Sequence, residues 1–228
     1  MALTREDLGG GRFVYQSDTV RFGEDAVRLA AFAAPKPTDK VCDLGTGGGI
    51  LPLLFCVDTP PAVIDAVELD PDADALAAQT VRDNGLDARI RVHAIDWNDW
   101  RAHLPAGGYS LVTCNPPYFP AGGGKPCADG SRDRARHEAS PDTLSQVCRA
   151  AAGLLQNGGD FCLCHRPERL CDVVTCLRDA GLEPKRLHLL LAETADTPWL
   201  LLCRARKGGR PGLTLTVGAS PKNGKESA

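Results

Sequence analysis

No stretch of the 228-residue chain stays apolar for the length of a membrane span, and its first residues lack a basic segment followed by an apolar one. Neither a bilayer anchor nor a secretory leader is expected. Internal repeats and low-complexity segments are missing, apart from a polar tail. Ten cysteines are present, yet none is spaced as Cys-x-x-Cys. Cys42, Cys114, Cys162, Cys164 and Cys203 lie inside apolar runs, where a free thiol serves as a small hydrophobe. A reducing, cytoplasmic setting follows as the expectation, with no structural metal. Strong charge of one sign is also absent, since the formal net charge is only -3. Its distribution is uneven: residues 1–115 hold 10 Lys+Arg against 17 Asp+Glu, and residues 116–228 hold 16 against 12. Such asymmetry fits either a solvated surface or a nucleic-acid face in the second half.

What the chain does contain is an alternation of short apolar runs and helical segments. Strands are expected at 40–44, 63–69, 90–96, 109–114, 159–165, 184–192 and 198–206. Helices are expected at 49–57, 71–84, 98–104, 141–156 and 167–180. Pro141-Asp-Thr and Pro167-Glu read as helix starts, and Asn157-Gly-Gly and Ala180-Gly as stops. The pattern predicts an α/β fold with a doubly wound, mostly parallel sheet, and the closely spaced last two strands predict an antiparallel hairpin at one edge. The length suits one domain over 1–218, with a short N-terminal extension (1–38) and a disordered tail from Ala219.

Two motifs carry the chemistry. The first is Asp43-Leu-Gly45-Thr46-Gly47-Gly-Gly49, a glycine-rich turn between an apolar strand and an apolar helix. Such turns let a ligand approach the backbone closely, although glycines alone would also suit an empty turn. The next strand ends in Glu68, 23 residues beyond Gly45, at a spacing where an acidic side chain binds ribose hydroxyls. The third strand ends in Asp96-Trp97, an acceptor beside a stacking surface that suits an adenine. Asp43 suits an ammonium group and would repel a pyrophosphate. Amine, ribose and adenine without phosphate describe S-adenosylmethionine (SAM) better than NAD.

The second motif is Asn115-Pro116-Pro117-Tyr118, directly after the strand-like run Tyr109–Cys114. In open α/β sheets that is the edge where ligands bind. The Asn115 side-chain oxygen and the Pro116 carbonyl are acceptors for the two N–H bonds of a planar amine, and Tyr118 offers a face for stacking. Pro117 and Phe119 flank the same clamp. A strand-ending turn with no catalytic role remains the plain alternative for the tetrapeptide alone. The loop that follows, 118–139, carries Gly122-Gly-Gly124, Lys125, Arg132, Arg134 and Arg136. It reads either as a flexible insertion or as an arm whose arginines hold RNA phosphates. His137 and Glu138 read as structural or RNA-positioning, and His93, His103, His165 and His188 as structural.

In these segments the chain resembles class I SAM-dependent methyltransferases that act on exocyclic nitrogens. It is most similar to the tRNA(Val) adenine-N6 methyltransferase family, in Cys114-Asn-Pro-Pro-Tyr-Phe119, Ala135-Arg-His-Glu138 and His165-Arg-Pro-Glu-Arg-Leu170. Gly181–Leu187 and Lys207–Leu213 extend the likeness, which runs from about Phe22 to Leu213. The resemblance implies a Rossmann-like SAM fold, methyl transfer to N6 of adenine near a tRNA anticodon, and tRNA as partner. It implies catalytic roles for Asn115, Pro116 and Tyr118 and cofactor contacts at Asp43, Gly45, Thr46, Gly47, Gly49, Glu68, Asp96 and Trp97. Methylation of a glutamine amide or of a guanine N2, or a non-catalytic SAM-binding RNA module, are the competing expectations. The chain departs from the family at Phe22-Gly-Glu-Asp25, at Arg28 and at the glycines before Arg12.

Overall fold

The computed structural model describes residues 3–116, 119–120, 137–138, 142–192 and 196–219; at 119–120 and 137–138 only the backbone is described. Its centre is a sheet built from β3 (Lys40–Leu44), β4 (Val63–Glu68), β5 (Ile90–Ala94), β6 (Tyr109–Cys114), β9 (Leu155–His165), β10 (Leu182–Leu191), β11 (Pro198–Lys207) and β12 (Thr214–Ala219). The spatial order is β12-β10-β11-β9-β6-β3-β4-β5. β11 alone runs antiparallel to its neighbours; the other contacts in the sheet are parallel. Parallel strands covered on both faces are mostly apolar, which is why β3, β4 and β6 read as near-continuous hydrophobic runs, broken at the buried Asp43, Asp65 and Thr113.

Each face of the sheet carries its own core. On one side α1 (Glu24–Ala33), α2 (Ile50–Phe55) and α3 (Pro71–Asp83) bury Leu29, Leu53 and Val81 against Val41, Ile64 and Leu111. On the other, α4 (Thr143–Leu154), α5 (Leu170–Asp179) and a 3-10 turn, Trp97–Ala102, bury Val147, Leu177 and Trp100 against Cys42, Val112 and Phe161. Helix starts follow local chemistry. Asp70 caps α3 by accepting from the N–H groups of Asp72 and Ala73 at 2.9 and 3.0 Å, and Pro71 takes the first turn, where its missing N–H costs nothing.

Several sequence expectations shift. The segment expected as a helix at 98–104 is the 3-10 turn. α4 stops at Leu154 and passes straight into β9, so Asn157-Gly-Gly falls in a register irregularity of the strand and not at the helix end. The β10–β11 hairpin forms as expected, but β12 pairs outside it, in parallel with β10, and takes the edge position. Sequence alone assigns no element to Thr214-Leu-Thr-Val217, which follow Gly208-Gly-Arg-Pro-Gly212. Ala219, the first residue of the expected tail, closes that strand, and 220–228 lie outside the described residues.

The N-terminal extension forms a hairpin, β1 (Thr4–Gly9) with β2 (Arg12–Gln16). Gly9, Gly10 and Gly11 all have positive φ, so the unusual glycine cluster is the hairpin turn itself. Asn84 at the end of α3 holds β2 by donating to the Phe13 carbonyl (2.8 Å) and accepting its N–H (3.1 Å). Among nine described cysteines, seven are buried: the five expected from their apolar runs, and Cys56 and Cys148; Cys171 is exposed and Cys176 intermediate. Two short strands, β7 (Phe119–Pro120) and β8 (His137–Glu138), pair in parallel at the two ends of the polar loop.

Candidate active site

The winding of the sheet reverses between β3 and β6. β4 and β5 continue outward on one side of β3, while β6 and then β9 lie on the other. A crevice opens at such a point beyond the carboxyl ends of the strands. Leu44 and Cys114 are partners in the register, so the glycine turn leaving β3 and Asn115 leaving β6 emerge side by side. Sequence separates them by 70 residues, and the parallel pairing brings them together.

The glycine turn is held from several directions. Gly45, Gly47 and Gly49 have φ of 69°, 56° and 85°, values that L side chains resist. The N–H groups of Gly45 and Thr46 both donate to the Val67 carbonyl at 2.9 Å. Glu68 accepts the Gly47 N–H at 2.7 Å through Oε2 and those of Leu69 and Asp70 at 2.9 Å through Oε1. The residue expected to bind ribose therefore also organises the turn, and one carboxylate oxygen retains acceptor capacity. Burial raises its pKa, and the three backbone N–H groups oppose that rise. The N-terminal segment closes over the same turn, since a Cβ on Gly48 would meet Val20 at 3.3 Å and the Tyr15 carbonyl at 3.5 Å. Ser17 fixes this segment through Val20: its hydroxyl accepts the Val20 N–H and its own N–H donates to the Val20 carbonyl, each at 3.0 Å. Arg28, out of keeping with the family, folds back onto Glu24 at 2.7 Å.

Beneath the turn, Asp43 is 1% exposed. Its Oδ1 accepts from the Thr113 hydroxyl at 2.6 Å, while Oδ2 has no hydrogen-bond partner among the described residues. Burial pushes its pKa from 3.8 up to about 7, against the pull of Thr113 and, without hydrogen-bond geometry, of Thr46. A buried carboxyl with one orphaned oxygen calls for a donor or a cation. An ammonium-bearing ligand would answer it, and in this respect the residues fit SAM.

The sign of the pH effect follows. The folded-state pKa lies above the unfolded value, so the stability contributed by Asp43 is fully present below about pH 4 and is lost as pH rises toward 7. Thermal unfolding of the ligand-free protein should therefore show a fall in stability across that window that Asp43→Asn removes. Parallel curves for the two proteins would show that Asp43 is already ionised when folded.

Asp96 caps the 3-10 turn, its Oδ1 accepting from the Asn98 backbone N–H and side-chain amide at 2.8 and 2.9 Å. The Trp97 ring lies against Gly45, where a Cβ would sit 3.1 Å from it, and its indole N–H is buried without a partner among the described residues. Asn115 is half-buried, Pro116 is buried, and the Asn115 side-chain oxygen accepts from the Cys164 thiol at 3.0 Å. Pro117, Tyr118, Lys125, Arg132, Arg134 and Arg136 lie outside the described residues, and the side chains of Phe119, His137 and Glu138 do too.

Three contributors escape a reading by spacing: Thr113, Cys164 and the Tyr15–Val20 segment. Each reaches the site through strand register or loop packing, which leaves no local signal. The basic residues near the C-terminus fall elsewhere. Arg206 pairs with Asp160 at 2.8 Å and Lys207 donates to the Leu155 carbonyl at 2.7 Å, both where β9 begins, at the edge opposite the crevice. Arg204 donates to the carbonyls of Phe32 (3.1 Å) and Ala33 at the end of α1. The Arg210 carbonyl accepts from Lys185 at 2.9 Å. His93 binds the buried Asp65, which also accepts from Tyr109 and Arg91, so it belongs to the scaffold. His165 is fully buried, accepts the Arg166 N–H at 2.9 Å and has its pKa pushed by burial down to about 4, so it is neutral near pH 7.

Fold and site together define a Rossmann-like methyltransferase architecture. Among solved structures it is similar to a predicted O-methyltransferase of Agrobacterium tumefaciens (TM-score 0.67, 20% identity, 87% of this chain and 90% of that one). It is also similar to the tRNA m1G37 methyltransferase of M. jannaschii (TM-score 0.63, 14% identity, 91% and 57%). The sequence pattern of the methyltransferase small domain matches residues 14–127. A tRNA1(Val) (adenine(37)-N6)-methyltransferase of Yersinia enterocolitica is 30% identical over 218 residues, covering 91% of this chain and 78% of the relative. One of Serratia proteamaculans is 37% identical over 148 residues, covering 63% and 54%. The chain belongs to the methyltransferase small domain family and groups within it with these relatives. Its match spans little more than half the length of some of them.

Proposed function

We propose that this protein is an enzyme that methylates the N6 amine of adenine in tRNA, beside the anticodon, with SAM as methyl donor. The observation that carries the reading is the register of β3 with β6, which sets Asn115 next to the glycine turn and its orphaned Asp43 oxygen. The relatives' names specify adenine 37 of tRNA1(Val), and we extend that substrate to this chain. SAM, when bound, supplies a methyl group on a sulfonium, an electrophile that needs only a nucleophile aligned behind it. Asp43 and Gly45 are assigned to its amine, Glu68 to its ribose, and Asp96 with Trp97 to its adenine.

Asn115 and Pro116 then act on the target amine. Its lone pair is delocalised into the aromatic ring and is poorly nucleophilic. Acceptors for both N–H bonds favour a pyramidal nitrogen whose lone pair points out of the ring plane. They bind most strongly as positive charge develops on nitrogen, which is the binding that accelerates a reaction. No side chain has to serve as a strong base, because the methylated amine is acidic enough to lose its proton to solvent. Tyr118 is assigned to stacking the base once it leaves its neighbours. The phosphates are assigned to Arg132, Arg134 and Arg136. Their loop adjoins the clamp, whereas the Arg206–Arg210 group lies at the opposite edge.

The test is methyl transfer from labelled SAM to unmodified tRNA, read by nucleoside mass spectrometry. N6-methyladenosine is the expected product. A methylated glutamine on a release factor with no transfer to tRNA would replace this reading, as would N2-methylguanosine from rRNA. Binding of SAM without transfer to any of them would leave a non-catalytic module. Replacing Arg132, Arg134 and Arg136 by Ala should weaken tRNA binding and flatten its salt dependence, with SAM affinity unchanged. An unchanged salt slope would place the RNA face elsewhere.

A further inference from the structure

We infer that Cys164 is a positioning residue for methyl transfer: its buried thiol holds the Asn115 carboxamide with its oxygen in the orientation that the target amine requires. This inference rests on the proposed N-methyltransferase reading and deepens it.

The placement comes from strand register. Cys114 of β6 is paired with Leu163 of β9, so the next residues along the two parallel strands, Asn115 and Cys164, lie side by side at the carboxyl edge. Cys164 has no exposed surface, and its Sγ is 3.0 Å from Asn115 Oδ1. A carboxamide presents an acceptor on one side and a donor on the other, and rotation by half a turn exchanges them at almost no cost in shape. For a clamp that must accept N–H bonds, the exchanged orientation presents a donor to a donor. A thiol next to the carboxamide breaks that symmetry. In the structure the sulfur faces Oδ1 and not the amide nitrogen, so the S–H is donated to oxygen and this orientation of the carboxamide is the one held.

The weakness of the S–H donor matters as well. A carbonyl oxygen has two lone pairs, and a strong donor on one would lower the basicity left for the other. A thiol fixes direction while leaving most of that basicity for the substrate amine. Pro116 follows immediately and restricts Asn115 to extended backbone, and the thiol contact acts on the side-chain torsions that this leaves.

Cys164→Ala should slow single-turnover methyl transfer by about tenfold, less than the roughly hundredfold that a misplacement of about 1 Å can cost because Asn115 itself is retained, with little change in SAM affinity. Cys164→Ser, which keeps a donor, should recover part of that loss and stay below the wild type because a hydroxyl is the stronger donor, while Cys164→Val, which fills the space without a donor, should recover none. Cys162→Ala supplies the control. Cys162 is equally buried, two residues earlier on the same face, and its sulfur receives a contact from Arg204 and none from Asn115. Its loss should lower thermal stability as Cys164→Ala does and leave the transfer rate alone.

A second readout needs no substrate. The infrared S–H stretch assigned to Cys164, by its loss in Cys164→Ala, should move to higher frequency in Asn115→Ala. A stationary band, or equal rates for Cys164→Ala, Cys164→Ser and wild type, would overturn the inference. Absence of transfer by the wild-type protein overturns the functional proposal instead, and the infrared result then decides whether the thiol holds the carboxamide.

Discussion

Asn115→Ala is expected to slow single-turnover methyl transfer by on the order of a hundredfold or more, while the affinity for SAM stays close to that of the wild type. The asymmetry is the point of the experiment. The carboxamide leaves β6 at the crevice, beside the glycine turn but on a different strand, and its oxygen already accepts from Cys164 at 3.0 Å. If its role is to accept an N–H whose acidity grows as the amine is alkylated, its removal raises the barrier much more than it weakens either ground-state complex. A near-normal rate in Asn115→Ala would reduce Asn-Pro-Pro-Tyr to a turn that ends a strand. A large loss of SAM affinity would make the residue part of the cofactor pocket. The rate should be measured with SAM saturating and the protein in excess over tRNA, so that neither binding nor product release hides the chemical step.

Glu68→Ala is expected to weaken SAM binding by about 1.5–3 kcal/mol, the range for hydrogen bonds to an ionised carboxylate, in calorimetry at pH 7.5. The structure adds a second consequence. Glu68 holds the N–H groups of Gly47, Leu69 and Asp70 at 2.7–2.9 Å, so its loss removes an acceptor from the glycine turn before any ligand arrives. Thermal stability of the ligand-free protein should therefore fall together with the affinity. Glu68→Gln keeps an acceptor for part of this set and should lie between the two. A drop in stability with unchanged SAM affinity would confine Glu68 to the turn and remove it from the ribose site.

Much of this arrangement is legible in the order of residues. The turn needs glycines at 45, 47 and 49 because the backbone there has positive φ, and an acidic residue at the end of the following strand lies within reach of that turn in any parallel pairing. β3, β4 and β6 could be placed from their largely apolar runs because local composition and burial agree there, whereas β5 is the edge strand and buries only Ile90. The same logic fails at the C-terminus. β12 is half polar and exposed, its existence depends on pairing with β10, and no local pattern distinguishes it from a tail. The N-terminal hairpin is similar: its glycines signal a turn, but its position is decided by Asn84 and by the packing of Tyr15 and Val20 over Gly48.

By itself, then, the sequence determined the alternating α/β plan, the glycine turn, the acidic residue that answers it and a carboxamide at a strand end. These follow from backbone sterics and from hydrophobic periodicity, which act over a few residues. Tertiary structure alone decided that Leu44 and Cys114 stand in register, so that the glycine turn and Asn115, 70 residues apart, leave neighbouring strands at one edge of the sheet. It decided that Asp43 is buried, which raises its pKa to about 7, with one oxygen unanswered among the described residues. It also placed Cys164 against Asn115, and set Arg206 and Lys207 at the opposite edge of the sheet. Register, burial and long-range polar contacts depend on which strands become neighbours, and that choice is made by the packing of the whole chain.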